Sequence, residues 1–177
     1  MSGTVDKRST QGFTLFEVMI TLIVLAIMLT FAIPSFREAT LNGATTAQTN
    51  DMVAAFNGAR SEATKISRPV RVSALGDNWL NGWEMASDQD RDGAINGPDV
   101  LLLNGDPARE GFAIAVEDTG GAIVNDVWFD ASGRLLGAAQ PIVVTVRRPD
   151  GDLEKSRRLC IALSGRVESK KGEGACL

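Results

Sequence analysis

Between Phe13 and Ile33 the chain holds a single charged residue, Glu17. At about 1.5 Å of rise per residue, a helix of this length crosses a hydrocarbon core about 30 Å thick. A carboxylate buried at full depth in such a helix costs roughly 2.5–3.5 kcal/mol, so Glu17 needs a partner. A secretory signal would carry an apolar core of about 7–15 residues closed by a small-residue cleavage site. Here the core is longer and no A-x-A-like site closes it. A plain single-span anchor leaves the stretch Gly12-Phe13-Thr14-Leu15-Phe16-Glu17 unexplained. Lys7 and Arg8 precede the run, and the positive-inside tendency predicts that they stay cytoplasmic while everything after Pro34 crosses.

The 177 residues leave room beyond such an anchor for one modest globular domain. The chain contains no histidine, which removes Ser-His-Asp triads, Cys-His chemistry and His-ligated metal sites. No pair of carboxylates is set up for catalysis, and Leu163-Ser164-Gly165 is not a nucleophile elbow. The net charge of −4 is uneven. Residues 13–140 hold 8 basic and 16 acidic residues, whereas 141–177 hold 8 basic and 5 acidic.

Pro34 removes a helix donor and predicts a kink or a stop. The helical pattern then resumes. Met52, Phe56, Ala59, Ala63 and Ile66 recur at three- and four-residue spacing and share one helix face. Asn42-Gly43 is a weak point, and Arg68-Pro69 should end the helix. The reading is one long helix over about 16–67, half anchor and half packing surface for a β-sheet. Short strands are expected at 70–75, 82–86, 100–103, 112–116, 127–130, 134–136, 142–147 and 157–163. Asn104-Gly105, Gly120-Gly121, Ser132-Gly133 and Asp150-Gly151 suit the turns between them. A long helix followed by antiparallel strands gives an α+β domain.

The stretch from Gly12 to Glu17 followed by the apolar run resembles the start of type IV pilins and type II secretion pseudopilins. Ala59-Arg60-Ser61-Glu62-Ala63, Lys65, Arg68-Pro69-Val70, Trp79, Gly82-Trp83, Leu101-Leu102-Leu103, Phe129 through Gly133-Arg134, and Gly165-Arg166-Val167 resemble the FimT/FimU/GspH branch of minor pilins. The resemblance implies a leader over 1–12, a transmembrane helix over 13–33, its amphipathic continuation over 34–67 and a β-rich head over 68–177. It implies cleavage by a prepilin peptidase after Gly12 and methylation of the new Phe13 amine. It implies that Glu17 pairs with the terminal amine of a neighbouring subunit during assembly. The implied partners are other minor and major pilins, the prepilin peptidase, the inner-membrane assembly platform and the membrane. The implied place is a bacterial inner membrane with a periplasmic head before assembly and a pilus afterwards. The branch implies low-abundance subunits that prime pili for twitching and adhesion, or pseudopili for secretion, without enzymatic activity.

The only cysteines, Cys160 and Cys176, lie in the final region. An extracytoplasmic setting permits a disulfide between them, and closing a loop of about 15 residues is worth roughly 3 kcal/mol. The alternatives are two free thiols, or a metal held by two lone cysteines.

Two further patterns bear on ligands. Asp88, Asp90 and Asp92 occupy positions one, three and five of a calcium loop, with Gly93 at six, Ile95 at eight and Asp99 at twelve. Ala94 would add a backbone carbonyl. Asp99 is shorter than the usual glutamate, and strands rather than helices are expected to flank the loop, so a solvated β-turn with no cofactor is the better reading and calcium the alternative. Some FimT-like pilins bind DNA through a Gly-Arg-x-Arg motif, and here Gly165-Arg166-Val167-Glu168 stands in its place. The second arginine is reversed to Glu168. No aromatic residue lies nearby to stack on bases, so Arg166 and the surrounding cations read better as a solvated surface than as a nucleic-acid site.

Overall fold

The computed structural model describes residues 12–172 and 174–176. The leader, apart from Gly12, lies outside the described residues. The described chain divides between Thr40 and Leu41 into two compact units, although one helix, α1 (Leu15–Ile66), runs through both.

Between Glu17 and Arg37 α1 carries no charged residue. Its large hydrophobic side chains from Leu15 to Phe36 are between 44% and 79% exposed. Thr14 Oγ1 caps the helix by accepting from the Glu17 amide at 3.2 Å. Thr21, Thr30 and Thr40 turn their hydroxyls back onto the carbonyls of Val18, Ala26 and Phe36. These polar groups are therefore satisfied within the helix, which is the condition for entering lipid. The helix continues through Pro34. A proline removes one amide donor, and the bonds on either side of it persist.

The second unit starts with the rest of α1. Ala44, Thr45, Thr49, Met52, Ala55, Phe56, Ala59 and Ala63 are buried, and Ile66 is half-buried. The packed stripe thus begins two turns before Met52. Its early members hide from a hydropathy reading because two are threonines, which bond to Leu41 O and Thr45 O at 2.7 Å. Asn42-Gly43 does not break the helix. Asn42 Oδ1 accepts from Arg148 Nη1 at 3.0 Å, a tertiary tie that outweighs the glycine's weak propensity. The helix ends at Ile66, with Ser67 in the left-handed region (φ 54°) and the Arg68 amide bonded to Ala63 O.

Two antiparallel sheets follow in place of the single sheet expected. The strands are β1 (Val70–Ala74), β2 (Trp83–Ser87), β3 (Val100–Gly105), β4 (Ala113–Asp118), β5 (Asp126–Phe129), β6 (Leu135–Leu136), β7 (Ile142–Arg147), β8 (Arg157–Ile161) and β9 (Val167–Lys171). The first sheet has the order β3-β2-β1-β5-β6, and the second β4-β7-β8-β9. Short 3₁₀ turns at Leu75–Asp77 and Trp79–Asn81 connect β1 to β2. Eight strands lie where expected. β9 was not anticipated, because Val-Glu-Ser-Lys-Lys lacks an apolar alternation; pairing with β8 imposes it. Asn104-Gly105 ends β3 instead of turning, since Gly105 lies under the Trp83 indole where a Cβ would collide.

The core joins α1 to both sheets. Met52, Phe56 and Ala59 meet Val70, Val72, Met85, Val127 and Phe129 of the first sheet and Val116, Val144, Leu159 and Ile161 of the second. Trp79 packs tilted against Phe56 and donates Nε1–H to Val124 O at 2.8 Å, as a buried indole requires.

Candidate functional site

The branch residues dispersed through the sequence turn out to be neighbours. Arg60 Nε donates to Gly133 O at 3.1 Å. Gly165 (φ +78°) lies so close that a Cβ there would strike the same carbonyl. Arg60, Gly133 and Gly165 therefore form a seam that locks α1 to the two loops after β5 and β8. Asp130 holds the first loop by accepting from Ser132 N (2.8 Å), Ser132 Oγ (2.6 Å) and Arg134 N (3.0 Å). Lost hydration pushes the Asp130 carboxyl up, and these donors outweigh it, leaving it below its ordinary pKa. Sequence reasoning missed the roles of Asp130, Arg148 and Asn42; only the turn signal Ser132-Gly133 pointed toward the first.

At the start of α1, Glu17 stands exposed in the first turn with no ion-pair partner among the described residues. Its position favours the helix dipole. Phe13, two residues before the helix, is 84% exposed. None of the described residues covers this region.

The acidic loop joins β2 to β3, with strands on both sides as the sequence implied. Asp88, Asp90, Asp92 and Asp99 converge, each offering an oxygen within 4.8 Å of the others. Asp88 is 1% exposed and accepts from Arg91 N at 2.5 Å and Gly93 N at 3.0 Å, with Gly93 at φ +83° making the turn. Asp99 accepts from Gln89 N and Asn96 N, Asp92 from Ala94 N and Asn96 Nδ2, and Asp90 from Asp92 N. Seven of the eight carboxylate oxygens thus take a hydrogen from the loop itself. Lost hydration and the charges of Asp92, Asp99 and Asp88 raise the Asp90 pKa, whereas bonds from Asn96 and Ala94 lower that of Asp92. A calcium ion would have to share oxygens the loop already uses, through their second lone pairs.

At the basic end, Cys160 of β8 and Cys176 are disulfide-bonded, with their Cα atoms 5.5 Å apart. The bond folds the C-terminal tail back along the sheet. Arg158 Nη1 donates to Gly174 O at 3.1 Å and Lys170 Nζ to Ala175 O at 2.9 Å. Arg166 pairs with Glu168 at 3.0 Å. Several cations of the basic region are therefore engaged by the chain's own acceptors.

A membrane-length apolar helix whose second half seats on two antiparallel sheets, with one acid at its exposed start, defines a pilin-type filament subunit. Residues 48–165 match the type II transport protein GspH family, and residues 7–33 match the prokaryotic N-terminal methylation motif. The chain belongs to the GspH family of minor pilins and pseudopilins, whose members are structural subunits and not enzymes. Its fold is similar to that of the type IV minor pilin FimU of Pseudomonas aeruginosa, at 21% identity and a TM-score of 0.57, covering 80% of this chain and 98% of that one. It is equally similar to that of the minor pseudopilin EpsH of the Vibrio cholerae type 2 secretion system, at 12% identity and a TM-score of 0.57, covering 75% and 99%. No curated protein sequence matches the chain.

Proposed function

We propose that this chain is a minor pilin of a type IV pilus, acting in a priming or tip complex that supports twitching motility and adhesion. The observation that carries its role as an assembled subunit is the apolar half of α1, left exposed by the described residues, with Glu17 at its start lacking an ion-pair partner among them. In this reading a prepilin peptidase cuts after Gly12, Phe13 becomes the methylated N-terminus, and the head waits in the periplasm. Assembly moves the helix from lipid into a bundle of like helices. Lipid and bundle are about equally apolar, so packing and polar pairs must set the order. The Phe13 amine of one subunit and Glu17 of its neighbour supply such a pair.

Identity to FimU above that to EpsH supports the pilus. The GspH family match supports a second reading, a pseudopilin of type II secretion. The Arg166–Glu168 ion pair weighs against a third, DNA uptake. Deleting the gene and scoring surface pili, secretion and DNA uptake in one strain separates them. Lost pili with normal secretion supports the first, failed secretion with normal pili the second, and failed uptake alone the third. The convergence of four carboxylates supports a calcium reading of the Asp88–Asp99 loop, and calorimetry showing no heat at millimolar calcium rejects it.

A further inference from the structure

Beyond the helix, three of the seven exposed large hydrophobic side chains among the described residues lie on one element, and the other four are scattered singly. Val100, Leu101 and Leu103 are 47%, 60% and 53% exposed, all on β3. β3 is an edge strand, paired on one side with β2, and a β-bulge between the Leu101–Ala86 and Leu103–Met85 pairs is the one irregularity along it. Every second residue of such an edge directs its N–H and C=O away from the sheet, which makes it a template for another strand. The remaining edges are guarded. β6 has two residues, β4 is bridged at Glu117 by Ile123, and β9 carries Glu168, Lys170 and Lys171.

The surroundings of β3 specify what could pair with it. Asp99 and Asp106 bracket the strand. At its C-terminal end a groove of about 300 Å³ opens between the strand and α1, with Met52 and Trp79 as apolar walls and Asp51 and Asp106 also lining it. An apolar floor with two carboxylates suits the stem and head of a lysine or arginine. The chain's own β9 fits poorly, since it lacks alternating aliphatic residues and carries Glu168.

We propose that β3 is a docking edge for an extended segment of a partner polypeptide that bears alternating aliphatic side chains and a basic residue at its end. Main-chain hydrogen bonds extend the first sheet, Leu101 contacts an aliphatic side chain on the outer face and Leu103 one on the α1 face, and the groove takes the terminal cation. This holds whichever filament the subunit enters.

The test uses the full chain in detergent micelles and two synthetic peptides, a valine-threonine repeat flanked by lysines and the same repeat flanked by glutamates. Hydrogen exchange read by mass spectrometry should show β3 amides protected by the lysine peptide, with binding that weakens as salt rises. Leu101→Ser/Leu103→Ser, at exposed positions, should weaken that binding about tenfold. An unchanged melting curve shows that the variant folds, and the wild-type exchange map stands even if it does not. Equal binding of both peptides, protection at another edge, or no binding at millimolar peptide would each overturn the proposal. So would concentration-dependent protection of β3 without peptide, which would assign the edge to a second copy.

Discussion

The two halves of α1 are built from the same backbone and solve opposite problems. Up to Phe36 the large apolar side chains point outward in all directions, and the threonines bond back onto the helix. From Ala44 onward one face is buried, and it is made of alanines, threonines, Met52 and Phe56. Small residues let the sheets approach closely, and Phe56 fills the space between them. The difference shows that apolar content alone does not locate a core. Where apolar side chains have no partner among the described residues, lipid or another subunit is the partner they suit; where they are sparse and small, the chain supplies its own.

The two halves separate most clearly at Glu17. Glu17→Ala should insert into membranes normally, leave the melting of the head unchanged and abolish incorporation into filaments. Immunoblots of sheared surface filaments against whole membranes measure this, and normal recovery of the variant in filaments would sink the assembly role. Phe56→Ala is the converse. Phe56 is fully buried, so its truncation should cost about 3–5 kcal/mol in the head. Thermal unfolding of the full chain in detergent should register it, with membrane insertion unaffected. If both variants changed both readouts, the division of labour along α1 would be wrong.

The halves also differed in how much could be read before the structure. Hydropathy marked the apolar half at once, because a run with one charge in 21 residues is long enough to cross a bilayer as a helix. In the head, periodicity found Met52, Phe56, Ala59 and Ala63 but not Thr45 and Thr49, whose burial depends on hydroxyls returning to the backbone. Eight strands were legible from alternation and turns. β9 was not, since its order comes from β8 and from the tail that the disulfide returns to the sheet. The Arg60–Gly133–Gly165 seam was visible only as scattered likenesses to a family, because residues 73 apart in sequence carry no local sign of contact.

Smaller effects sharpen the account of the head. Cys160→Ser should lower its stability by about 3 kcal/mol, comparable with a reducing agent acting on the native chain. The tail hydrogen bonds from Arg158 and Lys170 should weaken with it, and exchange at Gly174–Cys176 should accelerate. A melting temperature insensitive to reductant would mean that these hydrogen bonds suffice without the cross-link.

The smallest effect is expected at Asp130, which steadies the loop that receives Arg60. Its pKa is depressed in the folded chain because the Ser132 and Arg134 donors outweigh lost hydration. A depressed carboxyl contributes stability above its unfolded pKa of about 3.9, and that contribution disappears as pH falls through the lower folded value. The site is only half-buried, so solvent screening keeps the gain under about 1 kcal/mol. Asp130→Asn retains one acceptor oxygen and removes the charge. The variant should therefore melt slightly earlier than the native chain at pH 7, and the gap should close as the pH drops below about 4. A gap that persisted undiminished in acid would show that Asp130 acts through shape rather than charge. The grip of the seam on α1 would then owe nothing to ionisation.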